Sequence, residues 1–260
     1  MGVLNVTPDS FSDGGEFISR KNALNQAQHL EISGADILDI GGQSTRPGAE
    51  EVSPEEEIKR VVPVIEALRS RSNCPISVDT YRAAVAAAAL DAGADIINDV
   101  SGGTADPEML PLIGERDVPA ILMHMRGTPK TMQSLTQYED VVAEVAEKLQ
   151  QHIHAAIACG VSTQQLILDP GIGFAKTQDQ NLQLLRELPQ FHKLGYPLLL
   201  GVSRKSFIGR ILDRPEAKDR VWGTAAACTA AIAAGADLLR VHDLRAMSDV
   251  ARVADVLFRG

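Results

Sequence analysis

The sequence predicts a (β/α)8 TIM barrel, a single-domain α/β fold covering residues 1–260. Short apolar runs alternate with longer helical patterns from one end of the 260-residue chain to the other, which suits eight strand–helix units in about 250 residues. The runs are apolar at successive positions, as in strands of a parallel sheet covered on both faces. A doubly wound open sheet is the competing fold, but its Gly-rich dinucleotide fingerprint after an early strand is absent from the sequence.

The composition argues against some classes of binding partner. The chain has 25 basic and 34 acidic residues, a formal net charge of −9, and 45% of its residues are hydrophobic. An acidic balance argues against non-specific binding to nucleic acid or to an anionic membrane, because both need a basic surface. No segment approaches the roughly 20 strongly apolar residues of a membrane span, and the first residues lack the basic region of a signal peptide. We therefore expect a cytoplasmic protein.

The cysteines and several histidines are predicted to have no disulfide or metal-binding role. The cysteines are odd in number and far apart, which fits neither a disulfide framework nor a zinc site; they are Cys74, Cys159 and Cys228. Two histidines stand two positions apart on a predicted helix, so they cannot form an i, i+4 metal pair. The histidines expected at the surface are His29, His152, His154 and His192.

Eight runs rich in Val, Ile and Leu are the predicted strands. Each is short, and each is followed by residues that favour a turn or a loop. In chain order, the predicted strands are residues 1–6, 36–40, 76–79, 95–99, 120–124, 166–169, 198–202 and 238–242.

Helical patterns fill the intervals between these runs. The clearest covers residues 138–157, where apolar residues recur at i, i+3, i+4 and i+7 and Glu and Gln lie on the other face. It ends at Gly160, a residue type typical of the position after a helix. Another helix is predicted to begin at residues 53–56, Ser-Pro-Glu-Glu, which combine a capping serine, an N1 proline and first-turn acids.

A Gly-Ala-Asp tripeptide occurs at residues 34–36, 93–95 and 235–237. Each copy lies between a predicted helix and a predicted strand. Coincidence in an alanine-rich chain is the alternative, but three placements at the same kind of junction favour a repeated βα unit.

Polar residues follow every predicted strand. In a (β/α)8 barrel the carboxyl ends of the strands form the active site. One Asp at such a position commonly caps a helix, but capping does not explain eight polar ends at once, because each would be costly to bury unpaired. The pattern indicates a polar pocket for a small molecule.

The chemistry of these residues divides the pocket. Asp79, Asn98 and Asp169 suit a flat heterocycle rich in N–H donors, since carboxylate and amide oxygens accept hydrogen bonds. Asn5 offers a neutral oxygen to a hard cation such as Mg²⁺, although a turn residue explains it equally well. The cationic residues suit phosphate oxygens, for which late-strand loops of barrels are frequent sites; they are Arg46, Lys205, Arg240 and His242.

Two long segments, residues 7–15 and 44–52, are predicted to act as lids. Both are too rich in Gly and Pro to extend strands. Long loops with Gly hinges at an active-site face are commonly functional.

At this point the motifs resemble one known family, the dihydropteroate synthases. The resemblance begins with MGVLNVTPDSFSDGG at residues 1–15 and continues through DIGGQSTRPG at residues 39–48. It then covers shorter motifs in chain order along the whole sequence: SVDT (77–80), INDVSGG (97–103), LDPGIGF (168–174), GVSRKSF (201–207) and RVHD (240–243).

The resemblance implies a folate-pathway transferase. Members join 6-hydroxymethyl-7,8-dihydropterin pyrophosphate to 4-aminobenzoate, releasing pyrophosphate and 7,8-dihydropteroate. It also implies a homodimer formed through late helices, and sulfonamides as inhibitors. Members usually carry a short segment before the first barrel strand, whereas Met1 here stands in that strand, which puts packing at the barrel's lower end in question.

The resemblance further assigns residues to each part of the site. The pterin would be held by Asp79, Asn98, Met123, Asp169, Lys205 and Arg240. The pyrophosphate would be held by Asn5, Arg46, Arg240 and His242, with Asn5 also binding Mg²⁺. The 4-aminobenzoate site would be formed by Thr45, Arg46, Pro47, Phe174 and Ser206. The catalytic set would be Asp9, Asp13, Arg46, Lys205, Arg240 and His242, with the two aspartates stabilising a cationic pterin methylene.

Two other functions fit part of the sequence pattern. A pterin-binding methyltransferase domain that uses methyltetrahydrofolate shares the barrel and the Asp/Asn pocket, but it has no use for the Asp9–Gly15 segment or for the Arg204-Lys205-Ser206 strand end. A non-catalytic barrel that binds a pterin or a sugar phosphate is the third possibility. Loss of Lys205, Asp79 or Arg46 would favour it, and none of them is lost.

Overall fold

The eight predicted strands are all present in the protein. A computed structural model describes residues 1–6, 16–45, 48, 49 and 51–260, without the side chains of residues 16–19. Two strands have the predicted bounds and the others differ by one to three residues at an end. In chain order the strands are β1 Gly2–Asn5, β2 Leu38–Gly41, β3 Ile76–Asp79, β4 Ile96–Asp99, β5 Ala120–Met123, β6 Leu166–Asp169, β7 Leu199–Leu200 and β8 Leu238–Leu239.

The strands close into a parallel barrel. Strands β1 to β6 pair in sequence order, and β7 pairs with β8. Two parallel bridges complete the circle, one between Leu168 and Leu198 and one between Gly2 and Val241. The prediction of a (β/α)8 barrel is therefore confirmed, and the active-site face lies where the strands' carboxyl ends meet.

Helices surround the barrel on its outer side. Two of them, α7 and α8, fall between β7 and β8, so the described residues hold nine helices rather than eight. They are α1 Glu16–Ile32, α2 Pro54–Arg69, α3 Ala83–Asp91, α4 Met109–Arg116, α5 Val141–Ala158, α6 Gln178–Arg186, α7 Ser206–Leu212, α8 Val221–Ala233 and α9 Leu244–Phe258. Among the described residues, no helix is long and apolar enough to span a membrane.

The predicted start of α2 and end of α5 are confirmed, whereas α5 begins at Val141, three residues after its predicted start. The Ser53 hydroxyl caps α2 by accepting the backbone N–H of Glu56 at 3.2 Å. Helix α5 begins after Asp140, whose carboxylate accepts the N–H of Val142 at 3.0 Å. Beyond its end, Gly160 has a φ of 87°, the left-handed conformation that glycine adopts at low cost.

The repeated Gly-Ala-Asp tripeptide marks one kind of junction. The glycines at positions 34, 93 and 235 all have left-handed φ angles between 95° and 109°. Asp95 accepts the N–H of Ile76 from the neighbouring strand at 2.8 Å, and Asp237 accepts that of Leu198 at 2.8 Å. The repeat therefore turns the chain from helix to strand and ties adjacent strands together at their amino ends.

One prediction about the surface is wrong. His152 is buried, with 2% of its surface exposed, because it lies three residues after Leu149 on the face of α5 that packs on the barrel. Its ring fills the space that the missing side chain of Gly102 leaves open. His29 and His154 are exposed as predicted, and His192 is half-buried. All three cysteines are free.

Candidate active site

An arginine between two aspartates lies at the mouth of the barrel. Arg240, just after β8, donates from Nε to Asp39 at 2.6 Å and from Nη2 to Asp79 at 2.6 Å. Burial works to lower the pKa of Arg240, but the two carboxylates outweigh it and hold the pKa above its usual range. The guanidinium therefore stays charged and joins strands β2, β3 and β8.

Asn98 and Asp79 extend this network. The Asn98 amide donates to Asp39 at 3.3 Å, and Asn98 pairs with Asp79 in the β3–β4 register. Within the described part of the chain, Asp79 Oδ1 is buried and has no hydrogen-bond partner. Burial raises the pKa of Asp79 to about 7, with Asp39 adding to the shift and Arg240 opposing it. An acceptor without a partner is therefore available to a ligand that carries N–H groups.

Asp169 supplies a second buried acceptor at the end of β6. Its Oδ1 accepts the N–H of Gly171 at 2.7 Å. Burial raises its pKa, while the hydrogen bond from Gly171 and the positive charges of Lys205, Lys176 and Arg240 favour the charged form. Met123 pairs with Asp169 in the β5–β6 register and is buried. The two residues assigned to the pterin from these strands therefore lie side by side.

Lys205 and Phe174 contact each other at the rim. The Lys205 ammonium lies 4.3 Å from the centroid of the Phe174 ring, a cation–π geometry. Gly173 packs closely beneath this pair, since a Cβ there would lie 3.1 Å from Lys205 Cδ. The next residue, Ser206, begins α7 and is exposed.

The strand ends of β7 and β8 are fixed by polar contacts. His242 Nδ1 lies 3.1 Å from the hydroxyl of Ser203, which also accepts the His242 backbone N–H at 3.2 Å. Arg204, with a left-handed φ of 58°, forms two hydrogen bonds with Asp243 at 2.8 and 2.5 Å. Of two adjacent cations, Arg204 is therefore committed to an ion pair and Lys205 faces Phe174.

The segment after β2 is tied together at its base. Gln43 Oε1 accepts the N–H of Val52 at 3.3 Å and a hydrogen bond from Arg82 at 2.9 Å. Its amide donates to the Tyr81 hydroxyl at 2.6 Å, and Arg82 also pairs with the buried Glu57 at 2.6 Å. This arrangement fixes the two ends of the segment predicted to form a lid.

Comparison with known proteins identifies the family. A family model described as "Pterin binding enzyme" matches residues 1–242. The chain belongs to this family. A dihydropteroate synthase from Synechocystis is 57% identical over 259 residues, which cover 100% of this chain and 90% of that protein. The chain thus belongs to the dihydropteroate synthases among the pterin binding enzymes, and the methyltransferase alternative is set aside.

Solved structures of pterin binding enzymes agree with the barrel. The Clostridium difficile dihydropteroate synthase, solved with pteroic acid, is 43% identical with a TM-score of 0.95, covering 100% of this chain and 96% of that one. The Xanthomonas albilineans enzyme with 4-aminobenzoic acid is 46% identical with a TM-score of 0.93, covering 99% and 92%. The Yersinia pestis enzyme with a sulfonamide drug complex is 43% identical with a TM-score of 0.94, covering 100% and 94%.

The structure brings most of the predicted site of this pterin binding enzyme to one face. Arg240 binds Asp79 and shares Asp39 with Asn98, and the charges of Lys205 and Arg240 act on Asp169. Asn5, half-buried, ends β1 in register with Gly41 at the same level, and Thr45 is also half-buried. Four predicted residues lie outside the described residues: Asp9, Asp13, Arg46 and Pro47.

Three contributors were missed by the sequence reasoning. Asp39 was counted as part of an apolar strand, although a carboxylate there would be costly to bury unpaired and so implied a cationic partner. Gln43 immediately precedes the segment predicted to act as a lid and was assigned no role. Lys176, two residues after Phe174, is buried with 4% of its surface exposed; a lysine in a loop is usually solvated, and nothing in its local sequence indicated otherwise.

Proposed function

We propose that the chain joins 6-hydroxymethyl-7,8-dihydropterin pyrophosphate to 4-aminobenzoate, forming 7,8-dihydropteroate and pyrophosphate. The observation that carries the proposal is that buried acceptors and cationic residues lie together at one barrel mouth; the acceptors are Asp79, Asn98 and Asp169. Family membership gives this polar set its chemistry. We further propose that residues 1–260 form one domain, because the first and last strands close the barrel, and the cytoplasmic location stays a prediction.

The pterin ring is assigned to the buried acceptors. Asp79 Oδ1 and the Asp169 carboxylate would accept N–H groups of the ring, which replaces hydration that burial has removed. Their raised pKa values would fall again as these donors bind, since hydrogen bonds to a carboxylate favour its charged form. Met123 and Lys205 would border the ring, and Arg240 would stack on its face.

The pyrophosphate is assigned to the cations and Asn5. Neither ion pair of Arg240 uses its Nη1, so the guanidinium can keep Asp39 and Asp79 while it grips a phosphate oxygen. His242 and Arg46 would complete the grip.

The donor set fits Mg²⁺ only together with substrate. No group of three His, Cys, Asp or Glu side chains among the described residues could hold a metal ion. Asn5 offers one amide oxygen, and Mg²⁺ commonly completes its shell with waters and substrate phosphates. When bound there, the ion would neutralise charge on the leaving pyrophosphate.

The chain's own residues would act by electrostatics and position. The bond from the pterin methylene carbon to the pyrophosphate oxygen breaks, and its electron pair leaves with the pyrophosphate held by Arg240 and His242. The arylamine nitrogen then bonds to the cationic carbon and loses a proton to water. Asp9 and Asp13 are assigned to stabilise the cation, and no general base is needed because the arylamine is neutral.

The arylamine is assigned to the rim of the barrel mouth. Thr45, Arg46, Pro47, Phe174 and Ser206 would shape this pocket. We propose that sulfonamides compete for it, in keeping with the Yersinia pestis complex.

Pyrophosphate release tests this function. The purified protein is expected to release pyrophosphate and form dihydropteroate only when both substrates and Mg²⁺ are present. Coupled pyrophosphate detection, with the arylamine omitted in one control and EDTA added in another, measures this. Release that is unaffected by 4-aminobenzoate would contradict the synthase proposal.

We also propose a homodimer through the late helices. These helices expose large apolar side chains, among them Trp222 on α8 at 81% and Val256 and Leu257 on α9 at 76% and 69%. Exposed apolar residues gathered on a few elements are typical of interfaces.

Oligomeric state tests the dimer. By light scattering after size exclusion, the wild type is expected at twice the chain mass and a Val256→Lys, Leu257→Lys variant at one chain mass. Gln151→Lys on the exposed face of α5 is the matched control and should remain dimeric. A monomeric wild type would contradict the proposal.

A further inference from the structure

The loop between β6 and α6 has an unusual backbone. In residues 170–177, Gly171 and Gly173 have φ angles of 71° and 86°, and Ala175 has a φ of 50°. A left-handed alanine costs on the order of 1 kcal/mol and persists only where its surroundings hold it. Something must therefore fix this loop, which carries Phe174.

Lys176 supplies that support from inside the loop. Its ammonium donates to the carbonyls of Gly171 at 3.0 Å and Phe174 at 2.9 Å. It lies 3.0 Å from His124 Nδ1, at the end of β5. An ammonium has three N–H donors, and here three acceptors surround it, so a buried cation is fully satisfied.

His124 is suited to act as the third acceptor. It is buried, with 1% of its surface exposed. Burial, followed by the charge of Lys176, lowers the pKa of His124 to about 2. The ring therefore stays neutral. Because an ammonium can only donate, the tautomer that fits this contact has an unprotonated Nδ1 facing the lysine.

We propose that Lys176 is a positioning residue for the arylamine site, because it ties two carbonyls of the β6–α6 loop to strand β5 and so fixes the Phe174 ring beside Lys205. This inference rests on the proposed function, which assigns Phe174 to 4-aminobenzoate. The pterin acceptors Asp79 and Asn98 lie on other strands and do not depend on this support. Asp169 contacts the loop through the Gly171 N–H but is itself held at the end of β6, so the effect on the pterin is expected to be smaller than the effect on the arylamine.

Replacing Lys176 with methionine tests the proposal, since methionine has a similar length but no donors. A displacement of about 1 Å can cost on the order of 100-fold in rate. We expect KM for 4-aminobenzoate to rise at least ~10-fold and KM for the pterin pyrophosphate to change less than ~3-fold. Lys193→Met, at an exposed lysine, is the control and should leave both constants unchanged.

Wild-type enzyme provides a second measurement that needs no folded variant. Burial lowers the pKa of Lys176 to about 7, opposed by Asp169 and supported by Lys205 and Arg126. The ammonium is therefore lost as the pH rises through 7. KM for 4-aminobenzoate at saturating pterin substrate is expected to increase between pH 6 and 9, and to be constant in Lys176→Met.

Two results would overturn the inference: equal rises in both KM values in a folded Lys176→Met variant, or an unchanged KM for 4-aminobenzoate there. If that variant does not fold, a wild-type KM that is constant from pH 6 to 9 overturns it. A wild type that makes no dihydropteroate overturns the proposed function itself, and with it the basis of the inference. This result is distinct from an active wild type whose KM for 4-aminobenzoate equals that of Lys176→Met, which overturns the inference alone.

Discussion

Replacing Asp169 with asparagine is expected to abolish pterin binding while leaving the fold intact. The amide oxygen can still accept the Gly171 N–H that Asp169 now holds at 2.7 Å. The second oxygen becomes an NH₂ group, which presents donors to the N–H donors of the pterin. Sites built around a specific buried hydrogen bond lose on the order of 10⁴-fold when the partner is mismatched, so we expect at least ~10³-fold lower kcat/KM for the pterin pyrophosphate.

Stability separates this loss from unfolding. Burial raises the pKa of Asp169 above its usual value, so its charge destabilises the folded state at pH values above the unfolded pKa. The neutral asparagine is therefore expected to melt at the same temperature as the wild type or higher at pH 8. Calorimetric titration with the pterin substrate and thermal melting measure the two effects.

Asp179→Asn is the matched control, because it makes the same chemical change at an exposed position on α6. It should leave kcat/KM unchanged. Near-normal turnover by Asp169→Asn would contradict the assignment of Asp169 to pterin binding.

The sequence predicted the barrel well because its signal is repeated. Eight apolar runs and three Gly-Ala-Asp junctions each report the same local unit, so an error at one strand end, such as β7, does not change the topology. The polar strand ends were predictable for the same reason. Parallel strands place their carboxyl ends on one face, so Asp79, Asn98 and Asp169 meet whatever the details of their loops.

Partners of buried charges could not be predicted in the same way. Asp39 and Arg240 are about 200 positions apart, and only closure of the barrel brings them together. Lys176 is held by carbonyls of its own loop and by His124, which depends on left-handed backbone at Ala175 that sequence pattern does not indicate. His152 was predicted at the surface from its spacing to His154 alone, although its spacing to Leu149 places it on the apolar face of α5.

The network around Arg240 also reconciles the acidic chain with a site for an anion. The net charge of −9 is spread over the whole chain, whereas Arg240, Lys205 and His242 stand at one end of the barrel. Two carboxylates hold the pKa of Arg240 above its usual range, so they keep the guanidinium charged and fix its orientation. Pyrophosphate would then meet fixed positive groups rather than the average charge of the protein.

Replacing Arg240 with methionine is expected to destabilise the fold strongly and in a pH-dependent way. The change leaves Asp39 and Asp79, which are 0% and 5% exposed, without the cation that both contact. Breaking a buried ion pair by removing one partner typically costs about 3–5 kcal/mol.

The pH dependence follows from Asp79. Burial already raises its pKa to about 7 against the opposing charge of Arg240; without Arg240 the pKa would be higher still, so the cost of this carboxylate is full well above that pKa and declines as the pH falls and it takes up a proton. The difference in unfolding free energy between wild type and Arg240→Met, measured by urea denaturation, is therefore expected to be smaller at pH 5.5 than at pH 8.

Arg116→Met is the matched control, since it removes an arginine from an exposed pair with Asp91 at 2.6 Å. Exposed pairs contribute little, so this variant should lose much less stability than Arg240→Met at both pH values. Adding Asp79→Asn to Arg240→Met should restore part of the loss at pH 8, because only one buried carboxylate then lacks a cation. Equal losses for the two arginine variants would show that Asp39 and Asp79 do not depend on Arg240, and that its part in the site ends with the pyrophosphate.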